Sequence, residues 1–254
     1  MILKLKFFML LMIALSSSLY ASKKQVLIYC GITMVNPIKE ISDILKDELD
    51  IDIVITQGGS ANLFNSLKTS KVGDIYIAGE QRYIDDYINE GFFTDYIKEI
   101  GYNQAAIFVH KGNPYNISSL DDLLRDDIST ILCDYNTGSI GKMTKTVLEN
   151  YGGESFLTKA YLNSVEIGTD SRNINASLSR NRVDMAINWK STITFGNHKD
   201  LFTVIDIDEQ YAPKMTIPAV LLKSSENPEL ARSIIDFIVS DRGKEIMKKY
   251  GFLE

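Results

Sequence analysis

The sequence predicts an α/β protein of two lobes, and two features of its pattern carry that expectation. From Val26 onward, short apolar runs alternate with amphipathic segments, the signature of βαβ units on a mostly parallel sheet. The units fall into two groups of roughly 80–110 residues, each long enough to bury a core of its own.

The expected strands span 26–30, 51–56, 74–78, 104–110, 129–133, 184–188, 202–206 and 217–222. Helices are expected over 37–48, with Pro37 in the first turn, and over 142–150 and 173–179. A single amphipathic helix is expected over 228–248, with Ile234, Ile235, Phe237, Ile238 and Ile246 at helical spacing. A closing strand and helix are too small to fold alone, so they return to the first lobe. The expected division is 22–102 plus 207–254 for the N-terminal lobe and 103–206 for the C-terminal lobe. Two crossings, at 102–106 and 208–217, then make a hinge.

Residues 1–21 read as a secretory signal peptide: Lys4 and Lys6, the apolar run from Phe7 to Leu15, then a small-residue exit ending at Ala21. The apolar run is too short to span a membrane as a helix. No cysteine stands at the expected cleavage point, which argues against a lipid anchor. The mature chain is therefore expected to be periplasmic and soluble.

The formal net charge is −6, and loss of the two leader lysines takes it to about −8. That balance excludes nucleic acid as a partner, because such binding rewards clustered Lys and Arg. It does not exclude a small anion, since a buried site is governed by the dipoles around it and exposed charge is screened beyond about 10 Å. Cys30 and Cys133 stand in apolar strand contexts on different halves and read as small core residues. His110 and His198 have no partner at ligand spacing, so no free metal cation and no cofactor are expected. A Gly-x-Ser-x-Gly elbow and a Walker loop are both missing from the sequence, which argues against an enzyme.

Two short motifs place a hydroxyl where a strand gives way to a helix: Tyr29-Cys30-Gly31-Ile32-Thr33-Met34 and Gln57-Gly58-Gly59-Ser60-Ala61-Asn62-Leu63. The first amides of a helix lack internal partners and lie at the positive end of its dipole, so Thr33 and Ser60 suit an oxyanion. Both also suit plain helix caps, worth about 1 kcal/mol without any ligand. The turn Asn136-Thr137-Gly138-Ser139-Ile140-Gly141 brings backbone close to an anion or simply starts the next helix. Trp189, the single tryptophan, lies just past an apolar strand, where core packing and cleft lining fit equally. Arg172 is either a solvated first-turn arginine or a fork aimed at the ligand. Asp74 reads as a residue that fixes the loop beside its strand.

Nearly the whole mature chain resembles the periplasmic substrate-binding proteins of ABC importers, and within them the molybdate and tungstate binders. The resemblance rests on the two hydroxyl motifs, on Gly73-Asp74-Ile75-Tyr76-Ile77-Ala78-Gly79, on Val109-His110-Lys111-Gly112-Asn113-Pro114, on Asp184-Met185-Ala186-Ile187-Asn188-Trp189 and on Lys248-Lys249-Tyr250-Gly251-Phe252. It implies a type II periplasmic binding-protein fold that closes on a small oxyanion between the lobes. It also implies a membrane permease as partner and a monomer in solution. Carried over by position, the ligand groups are Thr33, Ser60, Gly138, Ser139 and Ser171, with Trp189 where the family commonly has tyrosine and Arg172 beside the site. Thr33 in place of the usual serine, Trp189 and Arg172 are departures, so an oxyanion binder is the firmer expectation than molybdate itself. A sensor subunit for another anion has the same fold and site, and a periplasmic hydrolase or transferase is the alternative from another class.

Overall fold

The computed structural model describes residues 24–252, so the expected signal segment and cleavage point lie outside the described residues. The first part of the chain runs β1 (Lys24–Gly31), a 3-10 turn (Ile32–Met34), α1 (Val35–Leu49), β2 (Ile51–Gly58), α2 (Ser60–Ser70), β3 (Ile75–Ile77), α3 (Arg82–Tyr87) and β4 (Phe93–Asn103). The middle part runs β5 (Ala105–His110), β6 (Thr130–Cys133), α4 (Ser139–Asn163), β7 (Glu166–Gly168), α5 (Ser171–Ser179), β8 (Met185–Trp189), α6 (His198–Leu201) and β9 (Phe202–Asp206). The chain then closes with β10 (Met215–Leu222), α7 (Pro228–Val239) and α8 (Asp241–Lys249).

These strands form two five-stranded sheets, ordered β2-β1-β3-β10-β4 and β7-β6-β8-β5-β9. The two orders are the same pattern. In each sheet four strands point one way, and the fourth in the row is reversed, pairing antiparallel on both sides. That reversed strand is the one arriving from the other lobe: β5 follows β4 after Gln104, and β10 follows β9 after residues 207–214. Half of the strand pairs are therefore antiparallel, and the sheets are more mixed than a run of βαβ units suggests.

Matching aspartates pin the matching strands. Asp74, just before β3, accepts from the Leu27 amide at 2.8 Å and from Ser225 Oγ at 2.5 Å. Asp184, just before β8, accepts from the amide and hydroxyl of Ser129 at 2.9 and 2.5 Å. The repeat lives in the backbone and is invisible as sequence identity.

Each sheet is covered on both faces, so its inner strands are apolar on both sides. Along β1, Val26, Ile28 and Cys30 join the core shared with α1, α7 and α8, while Tyr29 joins the core of Leu63, Phe64 and Leu67 under α2. The second lobe has its own core, built on β5, β6, β8 and α4. Cys30 and Cys133 are free and buried in different sheets, and burial pushes both thiols up.

The two crossings touch. The Gln104 side chain donates to the Ala212 carbonyl at 2.8 Å and accepts from Lys190 Nζ at 2.9 Å, while Asn103 Nδ2 donates to Ser191 Oγ at 2.7 Å.

Two expectations are corrected. The helix expected over 228–248 is two helices, because Ser240 takes an extended conformation and its hydroxyl accepts from the Gly243 amide at 3.2 Å, capping α8. Strands β4 and β7 escape the sequence pattern, because β4 carries Asp95, Lys98 and Glu99 and β7 is three residues long, whereas the other two edge strands, β2 and β9, were expected.

Candidate functional site

Four strand-to-helix turns converge on one point between the lobes. From the first lobe come the 3-10 turn after β1, with Thr33, and the start of α2, where Gly59 is the cap and Ser60 the first residue. From the second come the start of α4, with Gly138 as cap and Ser139 first, and the start of α5, with Asp170 as cap and Ser171 first. The amides of Ser60, Ser139 and Ser171 open their helices and have no partner within them. The positive ends of the helix dipoles add to those amides.

These turns border a small cavity lined by Ile32, Thr33, Gly58, Gly59, Ser60, Gly138, Ser139, Ile140, Asp170 and Ser171. The lobes are closed. A Cβ on Gly59 would sit 2.6 Å from the Thr137 carbonyl, and one on Gly79 would sit 2.2 Å from Ser139 Oγ, so only glycine lets the lobes come this near. Thr33, Ser60, Ser139 and Ser171 are all at most 9% exposed.

The hydroxyls are held by fixed donors. Ser60 Oγ accepts from the Gly79 amide at 2.9 Å, and Ser139 Oγ accepts from the Trp189 indole Nε1 at 3.1 Å. Thr33 Oγ1 has a different partner, the Met34 thioether at 2.8 Å. Behind Ser171, its carbonyl accepts from Asn188 Nδ2 at 3.0 Å.

No lysine or arginine lines the cavity; its one charged lining residue is Asp170. That carboxylate is occupied as a helix cap, its Oδ1 accepting from the amides of Arg172 at 2.8 Å and Asn173 at 3.0 Å. Among the described residues no group of three or more His, Cys, Asp or Glu side chains is placed to hold a metal ion.

Five of the seven residues singled out from the sequence, Thr33, Ser60, Gly138, Ser139 and Ser171, come together here. Two do not line the cavity. Arg172 is half exposed and faces Asp170 at 3.8 Å, because the first turn of α5 rotates it toward solvent. Trp189 is fully buried one layer back, reaching the site only through Ser139. Sequence reasoning missed Gly79 and Asp170. The second was legible as an Asp cap directly before a helix.

At the rim, Glu80 is fully buried between the lobes. Its Oε2 accepts from Arg82 Nη2 at 2.7 Å, and its Oε1 has no protein partner. Arg82 in turn donates to Thr146 of α4 at 2.8 Å, and Lys142 of α4 pairs with Asp86 of α3. Burial raises the Glu80 carboxyl above the usual carboxylate range, against the opposing pull of Arg82.

With this geometry in place, likeness to known proteins can be set beside it. The family model of the bacterial extracellular solute-binding proteins matches residues 26–253. The molybdate-binding protein ModA of Mycobacterium tuberculosis H37Rv is 21% identical over 208 residues, covering 80% of this chain and 74% of that protein. Among solved structures, the periplasmic molybdate-binding protein of Azotobacter vinelandii superposes with a TM-score of 0.78 at 12% identity, covering 90% of this chain and 99% of that one. The sulfate-binding protein SubI of Mycobacterium tuberculosis H37Rv superposes with a TM-score of 0.80 at 15% identity, covering 90% and 86%. The chain belongs to the bacterial extracellular solute-binding protein family. It shares the fold of the molybdate- and sulfate-binding proteins just named.

Proposed function

We propose that this protein captures a small tetrahedral oxyanion, molybdate or tungstate, between its lobes and delivers it to the membrane permease of an ABC importer. The observation that carries the reading is the meeting of Thr33, in the 3-10 turn after β1, with Ser60, Ser139 and Ser171, each the first residue of a helix, around a cavity lined by no lysine or arginine. Neutral donors and helix dipoles suffice to hold a dehydrated anion.

The lobes we assign, 22–102 with 207–254 and 103–206, would turn about Gln104 and the 207–214 crossing. Each lobe supplies only half of the donors, so the anion binds the closed state better and shifts the population toward it. The work is capture and release without covalent chemistry. It would be carried out by a monomer in the periplasm, with the leader of residues 1–21 removed.

Isothermal titration calorimetry of residues 22–254 against molybdate, tungstate, sulfate, selenate, phosphate and arsenate tests this. Tight one-to-one binding of molybdate or tungstate, with the smaller anions weaker, is the expected result. Binding of none of the six would overturn the oxyanion reading.

A further inference from the structure

One carboxylate is shut in by the two lobes without lining the anion cavity. Glu80 is 0% exposed, and a glutamate is almost never fully buried unless paired. Here the pairing is half complete. Oε2 accepts from Arg82 Nη2 at 2.7 Å, while Oε1 has no hydrogen-bond partner among the described residues. The residues on either side touch the second lobe: Gly79 lies against the Ser139 side chain, and Arg82 donates to Thr146 of α4 at 2.8 Å. Parting the lobes would remove both contacts and admit water to residue 80.

The charged and titratable groups that face Glu80 offset one another. Arg82, Asp86 and the Tyr83 phenol come from α3, and Lys142 comes from α4. Lys142 is itself paired with Asp86, and Arg82, 30% exposed, shares its guanidinium with Thr146. Loss of water therefore decides the protonation state, because an ion loses far more solvation on burial than a neutral carboxyl does. Burial accordingly raises this carboxyl above its usual range.

We propose that closing the lobes takes up a proton at Glu80, so that the proton and the captured anion favour the same closed state. The inference rests on the reading of the protein as a cleft that closes on an anion, and adds acid as a second promoter of closure. The proton comes from solvent and goes to Oε1, since Oε2 already receives the Arg82 N–H. No other bond changes. A site that holds its proton more tightly when closed makes the anion bind more tightly as pH falls, and the gain is lost as pH rises through the closed-state value. By reciprocity the anion tightens the proton to the same extent.

Calorimetry of residues 22–254 with molybdate, in two buffers of different ionisation enthalpy, counts the protons exchanged. Wild type is expected to take up a measurable fraction of a proton per anion at about pH 7. It should bind at least about threefold more tightly at about pH 6 than at about pH 8, a single proton allowing at most about tenfold per pH unit. Glu80→Gln keeps the shape, has no proton to gain, and is expected to show neither effect. A proton count of zero in wild type, or the same count and pH slope in Glu80→Gln, would overturn the proposal. Should the variant not fold, infrared difference spectra of wild type take its place: molybdate must add the C=O band of a protonated carboxyl, and a missing band overturns the proposal equally.

If neither molybdate nor any other of the six anions binds, the oxyanion reading fails by itself and the proton is tested alone. Small-angle scattering without any anion must then show wild type contracting between about pH 8 and about pH 5, and Glu80→Gln keeping one radius of gyration throughout. A wild-type radius independent of pH would overturn the proposal on this arm.

Discussion

Arg82 of the first lobe donates from Nη1 to Thr146 Oγ1 of the second at 2.8 Å, while its Nη2 holds Glu80 two residues away at 2.7 Å. The pair Glu80–Arg82 lies within one lobe, so forming it needs nothing from the other. Closure therefore does not create this ion pair; it removes water from it.

Removing water has a definite sign. The carboxyl of Glu80 is raised, first by burial, with Arg82 and Lys142 opposing and Asp86 adding to the rise. A group raised in the folded state contributes stability that is complete below its unfolded value and is lost as pH rises through the folded value. On acidification from about pH 8 to about 4.5, wild type should gain melting temperature relative to Glu80→Gln, which has no proton to bind. Melting curves of both proteins across that range check it. A difference independent of pH would show that Glu80 is not coupled to folding.

Thr146→Val removes the acceptor of Arg82 without changing the ion pair inside the first lobe. Because Arg82 is 30% exposed, solvent takes over part of the lost bond, and the closed state should be weakened by only about 1 kcal/mol. The expected readout is ligand affinity lower by about fivefold, with the unliganded melting temperature nearly unchanged. A large fall in melting temperature would mean that Thr146 supports α4 itself.

Gly79→Ala should act on closure more than on folding. The added methyl meets Ser139 Oγ at 2.2 Å and Cβ at 2.8 Å, both on the opposite lobe, while its contact within the first lobe is Ser60 Oγ at 3.2 Å. Opening the lobes relieves most of the clash. Small-angle scattering should show a larger radius of gyration in the presence of ligand than wild type gives, and calorimetry a weaker or absent binding signal. Normal closure in this variant would show that the lobes meet with more slack here than the structure has.

The central strands were legible because burial on both faces leaves little room for anything but apolar residues, as in Val26 to Cys30 and Met185 to Trp189. Phe93 to Asn103, an edge strand with Asp95, Lys98 and Glu99 among its apolar residues, left no comparable trace, although the edge strands β2 and β9 did. Thr33, Ser60, Ser139 and Ser171 were legible because helix starts select hydroxyl and small residues on local grounds. Arg172 and Trp189 were not, for the same reason in opposite directions. A sequence says that a residue lies near a turn, but the roughly 100° rotation per helical residue and the layer behind a strand decide what its side chain reaches. Gly79 needed the other lobe in place before its role was visible at all.

Ser60→Ala and Arg172→Ala make the sharpest comparison between a group inside the cavity and one beside it. Ser60 Oγ is buried, accepts from the Gly79 amide and borders the cavity, so its loss removes a donor to a desolvated charge and strands that amide. Affinity should fall by roughly 1.5–3 kcal/mol, or about 10- to 150-fold. Arg172 is half exposed, and its guanidinium faces only the capping Asp170. Its removal should change affinity by less than about threefold, and that small change should shrink further as salt screens it. Calorimetry at two salt concentrations separates the two cases. If Arg172→Ala proved the more damaging of the pair, the side chain would have to swing into the cleft on binding, and a fork suited to carboxylate or phosphate groups would displace the neutral-donor reading of the site.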